Sequence, residues 1–267
     1  MIVETIGLTR RFGDVVAVDH IDLTVTRGTI FGLLGPNGAG KSTTIKMLTT
    51  LLPPTEGTAR VAGLDIVQQP ALVRRQIGYV PQLVSADGAL TGFENLQLSA
   101  RLYGVPRMQR RPRIEAALAT MGLADAAGRL VNTYSGGMIR RLELAQATLH
   151  RPSVLILDEP TIGLDPVARR AVWERLLDSV RDTGMTVLLT THDMEEAAAL
   201  CGELALMERG RIAATGAPTA LTAAIGPTAT LEDVFKKYSE EGGEGESGDR
   251  RSFRAIRGTR RNVQRLG

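Results

Sequence analysis

The sequence predicts an α/β fold: a parallel sheet with helices on its faces, preceded by antiparallel strands and interrupted by a block of helices. Three observations predict it. Apolar strand runs at residues 30–34, 154–157 and 185–190 alternate with helical patterns. A glycine-rich loop joins the first of those runs to the helix that follows it. Between about residues 91 and 150 the strand patterns disappear and helical ones take over.

Each element has its own reason. Residues 2–25 alternate apolar and polar, as at Ile21, Leu23 and Val25, which marks short antiparallel strands. Residues 30–34 are a buried strand, and a helix should run from Lys41 to about Leu51, stopped by Pro53 and Pro54. Further strands are expected at 58–61 and 77–80. The helical block is punctuated by Gly104, Pro106 and Gly122, and its basic stretch 107–113 reads as a linker between two helices. After the strand at 154–157, Trp173, Leu176, Leu177 and Val180 fall at i, i+3, i+4 and i+7 of one helix, which Gly184 ends. In a parallel sheet covered by helices, ligands sit at the carboxyl ends of the strands.

Composition removes several function classes. With 267 residues, 43% of them hydrophobic and 23% charged, the chain is long enough for a sizeable core and needs no disulfide staples. The single Cys201 can neither pair within the chain nor build a zinc site, which suits a cytosolic protein. The longest apolar runs fall far short of the roughly 18 residues that span a bilayer, and residues 1–25 lack a signal-peptide layout, so no membrane crossing or export of the chain is expected. Net charge is only +3, which implies no nucleic-acid partner. The basic residues are 28 arginines and 4 lysines, so a well-placed lysine is informative.

Gly35-Pro-Asn37-Gly38-Ala39-Gly40-Lys41-Ser42 fits a phosphate-binding loop between a strand and a helix. Its backbone amides and the helix N-terminus would face bound phosphates, Lys41 would neutralise the β and γ phosphates, and Ser42 would hold Mg²⁺. The strand at 154–157 ends in Asp158 and Glu159, which places one acid near that ion and leaves the other to polarise an attacking water. Acids after a strand are by themselves usually a solvated loop; the phosphate loop reverses that reading. Ser135-Gly136-Gly137 opens a helix, as a plain N-cap, as an anion site of exposed amides, or as both. His192 follows the Thr190-Thr191 strand end; a lone histidine there is usually structural, yet it should share the sheet edge of the acidic pair.

Taken together, these segments resemble the nucleotide-binding subunit of an ATP-binding cassette (ABC) transporter, over about residues 1–238. The resemblance implies a P-loop NTPase (RecA-like) core, an antiparallel β subdomain and a helical signature subdomain at about 83–150. It makes Phe12 the aromatic that stacks on adenine, Gly35 to Thr43 the Walker A loop, and Gln82 the residue that contacts Mg²⁺ and the permease. Tyr134-Ser135-Gly136-Gly137-Met138 aligns with the ABC signature, Asp158 and Glu159 with Walker B and the catalytic base, Asp165 with the D-loop, and His192 with the switch histidine. Tyr134 and Met138 replace the usual Leu and Gln of the signature. Arg140-Arg141-Leu142 after it, and Leu231-Glu-Asp-Val-Phe235 later, look most like the daunorubicin-type drug-resistance exporters.

The family architecture implies ATP and Mg²⁺ as cofactors and a separate membrane permease at the cytoplasmic face of the membrane. It also implies a second nucleotide-binding subunit, in a head-to-tail dimer where Ser135 of one copy faces ATP held by Lys41 of the other. A DNA-repair or ribosomal ABC ATPase is a competing reading; the first group carries long insertions, whereas Lys41 and Ser135 lie 94 positions apart here, and the second carries two cassettes. Glu159 and His192 argue against a non-hydrolytic regulator. An importer would share the machinery. After Tyr238, residues 239–249 hold five acids and no base, and Arg250 to Gly267 holds seven arginines and no acid. That segment is expected as a disordered tail or as a basic amphipathic stretch lying on an anionic membrane surface.

Overall fold

Strand direction separates two sheets. In the computed structural model, which describes residues 1–241, β1 (Val3–Phe12), β2 (Val15–Val25), β4 (Glu56–Val61) and β5 (Leu64–Asp65) make an antiparallel sheet in the order β2-β1-β4-β5. The second sheet contains β3 (Ile30–Leu34), β6 (Ile77–Val80), β7 (Val154–Asp158), β8 (Thr186–Thr191), β9 (Glu203–Glu208) and β10 (Arg211–Gly216), in the order β10-β9-β3-β8-β7-β6. All its neighbours run parallel except β10, an antiparallel edge strand on β9. The expected antiparallel start and parallel core are both present. The basic segment 250–267 lies outside the described residues.

Period-two alternation in the central strands makes the two faces of the core. Phe31 and Leu33 of β3, Val154 and Ile156 of β7 and Leu188 of β8 face one apolar cluster, which the antiparallel sheet closes through Val3, Leu8 and Ile21. Leu34, Leu155, Leu157, Val187 and Leu189 face the other, shared with the helices.

Those helices are α1 (Lys41–Leu48), α2 (Pro70–Gln76), α3 (Gly92–Leu102), α4 (Arg107–Thr120), α5 (Gly136–Thr148), α6 (Pro166–Thr183), α7 (Met194–Leu200), α8 (Pro218–Ala223) and α9 (Leu231–Glu241). Their starts follow capping chemistry. Thr91 and Glu94 form a reciprocal capping box at α3, and Ser135, Asp165 and Asp193 accept backbone N–H bonds at the starts of α5, α6 and α7. Gly184, left-handed at φ 66°, ends α6 as expected.

Three expectations need correction. The stretch 107–113 is no linker: it forms the first two turns of α4. Pro112 removes one internal hydrogen bond there. Burial of Ile114 and Leu118, and the i,i+4 contacts Arg111–Glu115 at 2.8 Å and Gln109–Arg113 at 2.6 Å, hold the helix nonetheless. Helix α1 stops at Leu48 rather than near Leu51, because Thr50 turns left-handed at φ 62°. On α6, Trp173 and Leu176 are buried but Leu177 is 38% exposed, so the apolar stripe is narrower than its spacing implied.

Helix α5 lies against β6 so closely that a Cβ on Gly78 would strike the backbone carbonyl of Ala147. Gly78→Ala is therefore expected to cost about 1–3 kcal/mol through overpacking. A urea unfolding midpoint that falls with an unchanged slope would register it.

Candidate functional site

Four parallel strands deliver their carboxyl ends to one edge. The loop 35–40 follows β3, Gln82 follows β6, Asp158 and Glu159 end β7, and Thr190, Thr191 and His192 end β8. Beside this edge is an open cavity of about 340 Å³, lined among others by Asn37, Gly38, Lys41, Ser42, Gln82 and Glu159.

Glycines shape the loop where a side chain has no room. A Cβ on Gly35 would strike the carbonyl of Met207, and one on Gly40, at φ 106°, would come within 2.5 Å of the Ala17 carbonyl oxygen. Gly38, at φ 86°, meets nothing within 4 Å on its open side. Ala39 is buried, Gly40 stands at the N-cap of α1, and Thr43 borders the cavity one residue after Ser42. The loop thus presents backbone amides and a helix start to open space, an arrangement suited to an anion.

The acids are held by one threonine. In the β7–β8 register Asp158 sits opposite Thr190, whose hydroxyl donates to Asp158 Oδ1 at 2.6 Å and accepts the Glu159 N–H at 3.1 Å. Ser42 Oγ donates to the same Asp158 oxygen at 3.0 Å. The backbone of Glu159 is left-handed at φ 49° although Pro160 follows it, a position that favours extended backbone. Such conformations cost of order 1–3 kcal/mol and persist where the surroundings over-determine them.

Three side chains converge on the Glu159 carboxylate. Lys41 Nζ lies 3.5 Å from Oε1, His192 Nδ1 lies 3.1 Å from the same oxygen, and Gln82 Nε2 donates to Oε2 at 3.2 Å. Lys41 also donates to the Gly35 and Pro36 carbonyls at 2.7 and 3.1 Å, curling back onto its own loop. Burial pushes its ammonium pKa below the ordinary 10.5, against the pull of Glu159 and Asp158. Burial, with Asp158 adding to it, also pushes the Tyr79 phenol up to about 12.

Other expected residues lie apart from this cluster. Ser135 accepts the Met138 N–H at 3.3 Å as the N-cap of α5, and neither it nor Gly136 or Gly137 lines the cavity. Those glycines pack instead against the start of α6, where their Cβ atoms would approach Leu164 and Ala168. Asp165 caps α6 through the N–H groups of Val167 and Ala168. Phe12 ends β1, 47% exposed, with the Arg10 guanidinium 4.7 Å from its ring centre. Tyr134 fills the helical core and donates to the Ala126 carbonyl at 2.7 Å, so the aromatic ring in the signature segment is a packing residue.

Sequence reasoning missed Thr190 as a site residue and Glu196 as its support. Buried Glu196 on α7 accepts from Thr161 Oγ1 at 2.6 Å and Trp173 Nε1 at 3.1 Å, tying α7 and α6 to the chain just after Glu159. A threonine at a strand end carries no local signal; only strand register puts it opposite Asp158.

The lysine shift has a definite sign. Because the folded pKa lies below the unfolded value, the unfolded chain holds more protons between the two, and stability rises with pH through that interval. The stability of the native chain relative to Lys41→Met is therefore expected to increase as pH approaches 10.5 from below. Urea titrations of both proteins across that range would measure it, and a flat or falling difference would contradict the burial argument.

Comparison with known proteins agrees with this geometry. Residues 18–162 match the family model described as ABC transporter. The chain is 46% identical over 224 residues to the daunorubicin/doxorubicin resistance ATP-binding protein DrrA of Streptomyces peucetius, covering 84% of this chain and 68% of that one. It is 44% identical over 236 residues to the Nod factor export ATP-binding protein I of Ralstonia nicotianae, covering 88% and 72%. Among solved structures, an ATP-binding subunit of an ABC transporter superimposes with TM-score 0.80 at 29% identity, over 90% of this chain and all of that one. CbiO1 of Clostridium perfringens, part of the ABC transporter complex cbiONQ, gives 0.78 at 26%, over 90% and 94%. A family model spanning both the phosphate loop and the acidic strand end, with relatives that alike over most of the chain, admits one membership: this chain belongs to the ABC transporter family, as an ATP-binding subunit that hydrolyses ATP.

Proposed function

We propose that residues 1–238 form an ATPase domain that drives a separate membrane permease from the cytoplasmic face, and that the permease exports drugs or other hydrophobic compounds. The observation that carries the catalytic part is the convergence of Lys41, Gln82 and His192 on the Glu159 carboxylate beside the phosphate loop. The names of the relatives, daunorubicin resistance and Nod factor export among them, support the direction of transport. Exposed apolar side chains beside Gln82 support the permease reading. Leu83 and Val84, directly after Gln82, are 82% and 60% exposed. No described helix is long and apolar enough to cross a membrane.

In this reading the loop amides of residues 37–43 and the N-terminus of α1 bind the phosphates, and the exposed face of Phe12 stacks on adenine. Lys41 exchanges its contacts with the Gly35 and Pro36 carbonyls for the β and γ phosphates. Ser42 Oγ, Asp158 and the Gln82 amide oxygen are hard oxygen donors of the kind Mg²⁺ takes; Ser42 Oγ touches Asp158, and Ser42 and Gln82 line the same cavity. Mg²⁺ bound there would neutralise charge on the β and γ phosphates. Glu159 accepts a proton from the attacking water as the water oxygen bonds to the γ-phosphorus and ADP leaves; His192 orients that carboxylate through Oε1 and Gln82 through Oε2. Ser135, Gly136 and Gly137, remote from this cavity, serve the ATP of a second copy in a head-to-tail dimer, and Asp165 borders the same interface.

Binding and hydrolysis separate in two substitutions. Lys41→Ala is expected to weaken ATP binding, whereas Glu159→Gln should bind ATP and lose about 10²- to 10⁴-fold in turnover, the range for losing a general base. Titration of ATP affinity and phosphate release for both would decide, and native turnover in Glu159→Gln would sink the assignment. The dimer has its own test. Mixing Lys41→Ala with Ser135→Arg subunits leaves one composite site intact in the heterodimer and none in either homodimer. ATP-trapped dimers are expected only in the mixture; a mixture that binds no better than its parents would refute action across the interface.

A further inference from the structure

The segment between β6 and α3, residues 81–91, carries Gln82 and has no regular structure until the Thr91 cap. A backbone without its own ladder must place its polar groups elsewhere. Two side chains of α5 take those of residues 81, 82 and 85. Arg140, 6% exposed, donates through Nη1 to the Pro81 carbonyl at 2.9 Å and through Nη2 to the Gln82 carbonyl at 3.2 Å. Its Nη1 also lies 2.9 Å from Glu143 Oε2. Glu143, 2% exposed, uses its other oxygen to accept both the backbone N–H of Ser85 at 2.5 Å and its hydroxyl at 2.9 Å. The pair is continuous: one guanidinium fork holds the start of the segment, and the carboxylate it touches holds a point three residues on.

This arrangement joins two places that chemistry would use. The side chain of Gln82 reaches Glu159, while the main chain of Gln82 is gripped by a residue little more than one turn after Ser135. Arginine suits the task because its planar fork meets two carbonyls and a carboxylate at once, which a lysine ammonium cannot do in fixed geometry. Buried ion pairs are weak evidence for net stability, and their best attested use is to set register between elements. Here the register is between the Gln82 segment and the helix that presents Ser135-Gly136-Gly137.

We infer that Arg140 and Glu143 are positioning residues that make the Gln82 segment and α5 move as one piece, so that the contact of Gln82 with Glu159 sets where Ser135 stands. The inference rests on the reading of Glu159 and Ser135 given under Proposed function. A link of this kind predicts energetic coupling between Gln82 and Ser135 beyond what they share through one ATP across the dimer, and predicts that the coupling shrinks when the clamp is removed.

Two double-variant cycles on the full-length chain, read as kcat and KM for ATP, test it. In the first, Gln82→Ala and Ser135→Ala are made singly and together in the native chain. In the second, the same changes are made in a chain carrying Arg140→Met and Glu143→Leu, which removes both buried charges and leaves neither unpaired. The combined effect on kcat is expected to depart from the product of the single effects by about 5-fold or more in the native chain, and to fall clearly toward that product in the clampless one. Deuterium exchange at the Ser85 amide should rise about tenfold or more when its acceptor is lost. If melting curves show that the double substitution does not fold, Arg140→Lys takes its place, with the same loss of coupling expected. Single effects that simply multiply in the native chain, or non-additivity undiminished by loss of the clamp, overturn the clamp and leave the site reading standing. If Gln82→Ala and Ser135→Ala each leave kcat and KM unchanged, the site reading falls and the clamp falls with it.

Discussion

The site depends on the hydroxyl of Thr190, which donates to Asp158 Oδ1 and accepts the N–H of Glu159. Two adjacent carboxylates at the end of a buried strand would otherwise repel one another and turn toward water. The strand register fixes one of them toward Ser42, and the left-handed turn at Glu159 swings the other toward the cavity. That turn carries backbone strain, held by the β8 hydrogen bonds and by the three partners of the carboxylate. Removing any one of those partners would leave a buried acid less well compensated, so the cluster is cooperative in the sense that matters for chemistry.

Lys41 shows how the cavity stores binding energy before a nucleotide arrives. Its ammonium is buried, which is costly, and it meets that cost with two carbonyls of its own loop and with Glu159. A phosphate supplies a stronger counter-charge than a carbonyl does. The lysine can therefore change partners with a gain in free energy, and in doing so it would release Glu159 to its remaining neighbours. Balance among alternative partners, rather than rigidity, is what the buried cation provides.

The helices extend that balance across the molecule. Helix α5 runs from Ser135 at its cap, past Arg140 and Glu143, to the face that Gly78 packs against on β6. Helices α6 and α7 are fastened to the chain after Glu159 through Glu196, and to each other through the 2.8 Å ion pair of Arg169 with Asp193. The Gln82 segment is thus held by α5, which Ser135 caps, while Thr161 is held by Glu196 of α7, which also accepts from Trp173 on the Asp165-capped α6.

Local physics made much of this protein legible before any coordinates. Glycine spacing before Lys41, an apolar run ending in Asp158-Glu159, and Ser135 ahead of a helical stretch are short-range patterns, because loop conformation, strand burial and helix capping are decided by near neighbours. The α/β class followed from them. What only the tertiary structure decided involves residues far apart in the chain. Thr190 became a site residue through register with β7, α4 formed through the burial of Ile114 and Leu118 despite Pro112, and Arg140 met the Gln82 segment from 58 positions away. No local pattern encodes such pairings, since they exist only once packing and strand order have brought distant backbone together, and their energy comes from excluding water between groups that the unfolded chain keeps apart.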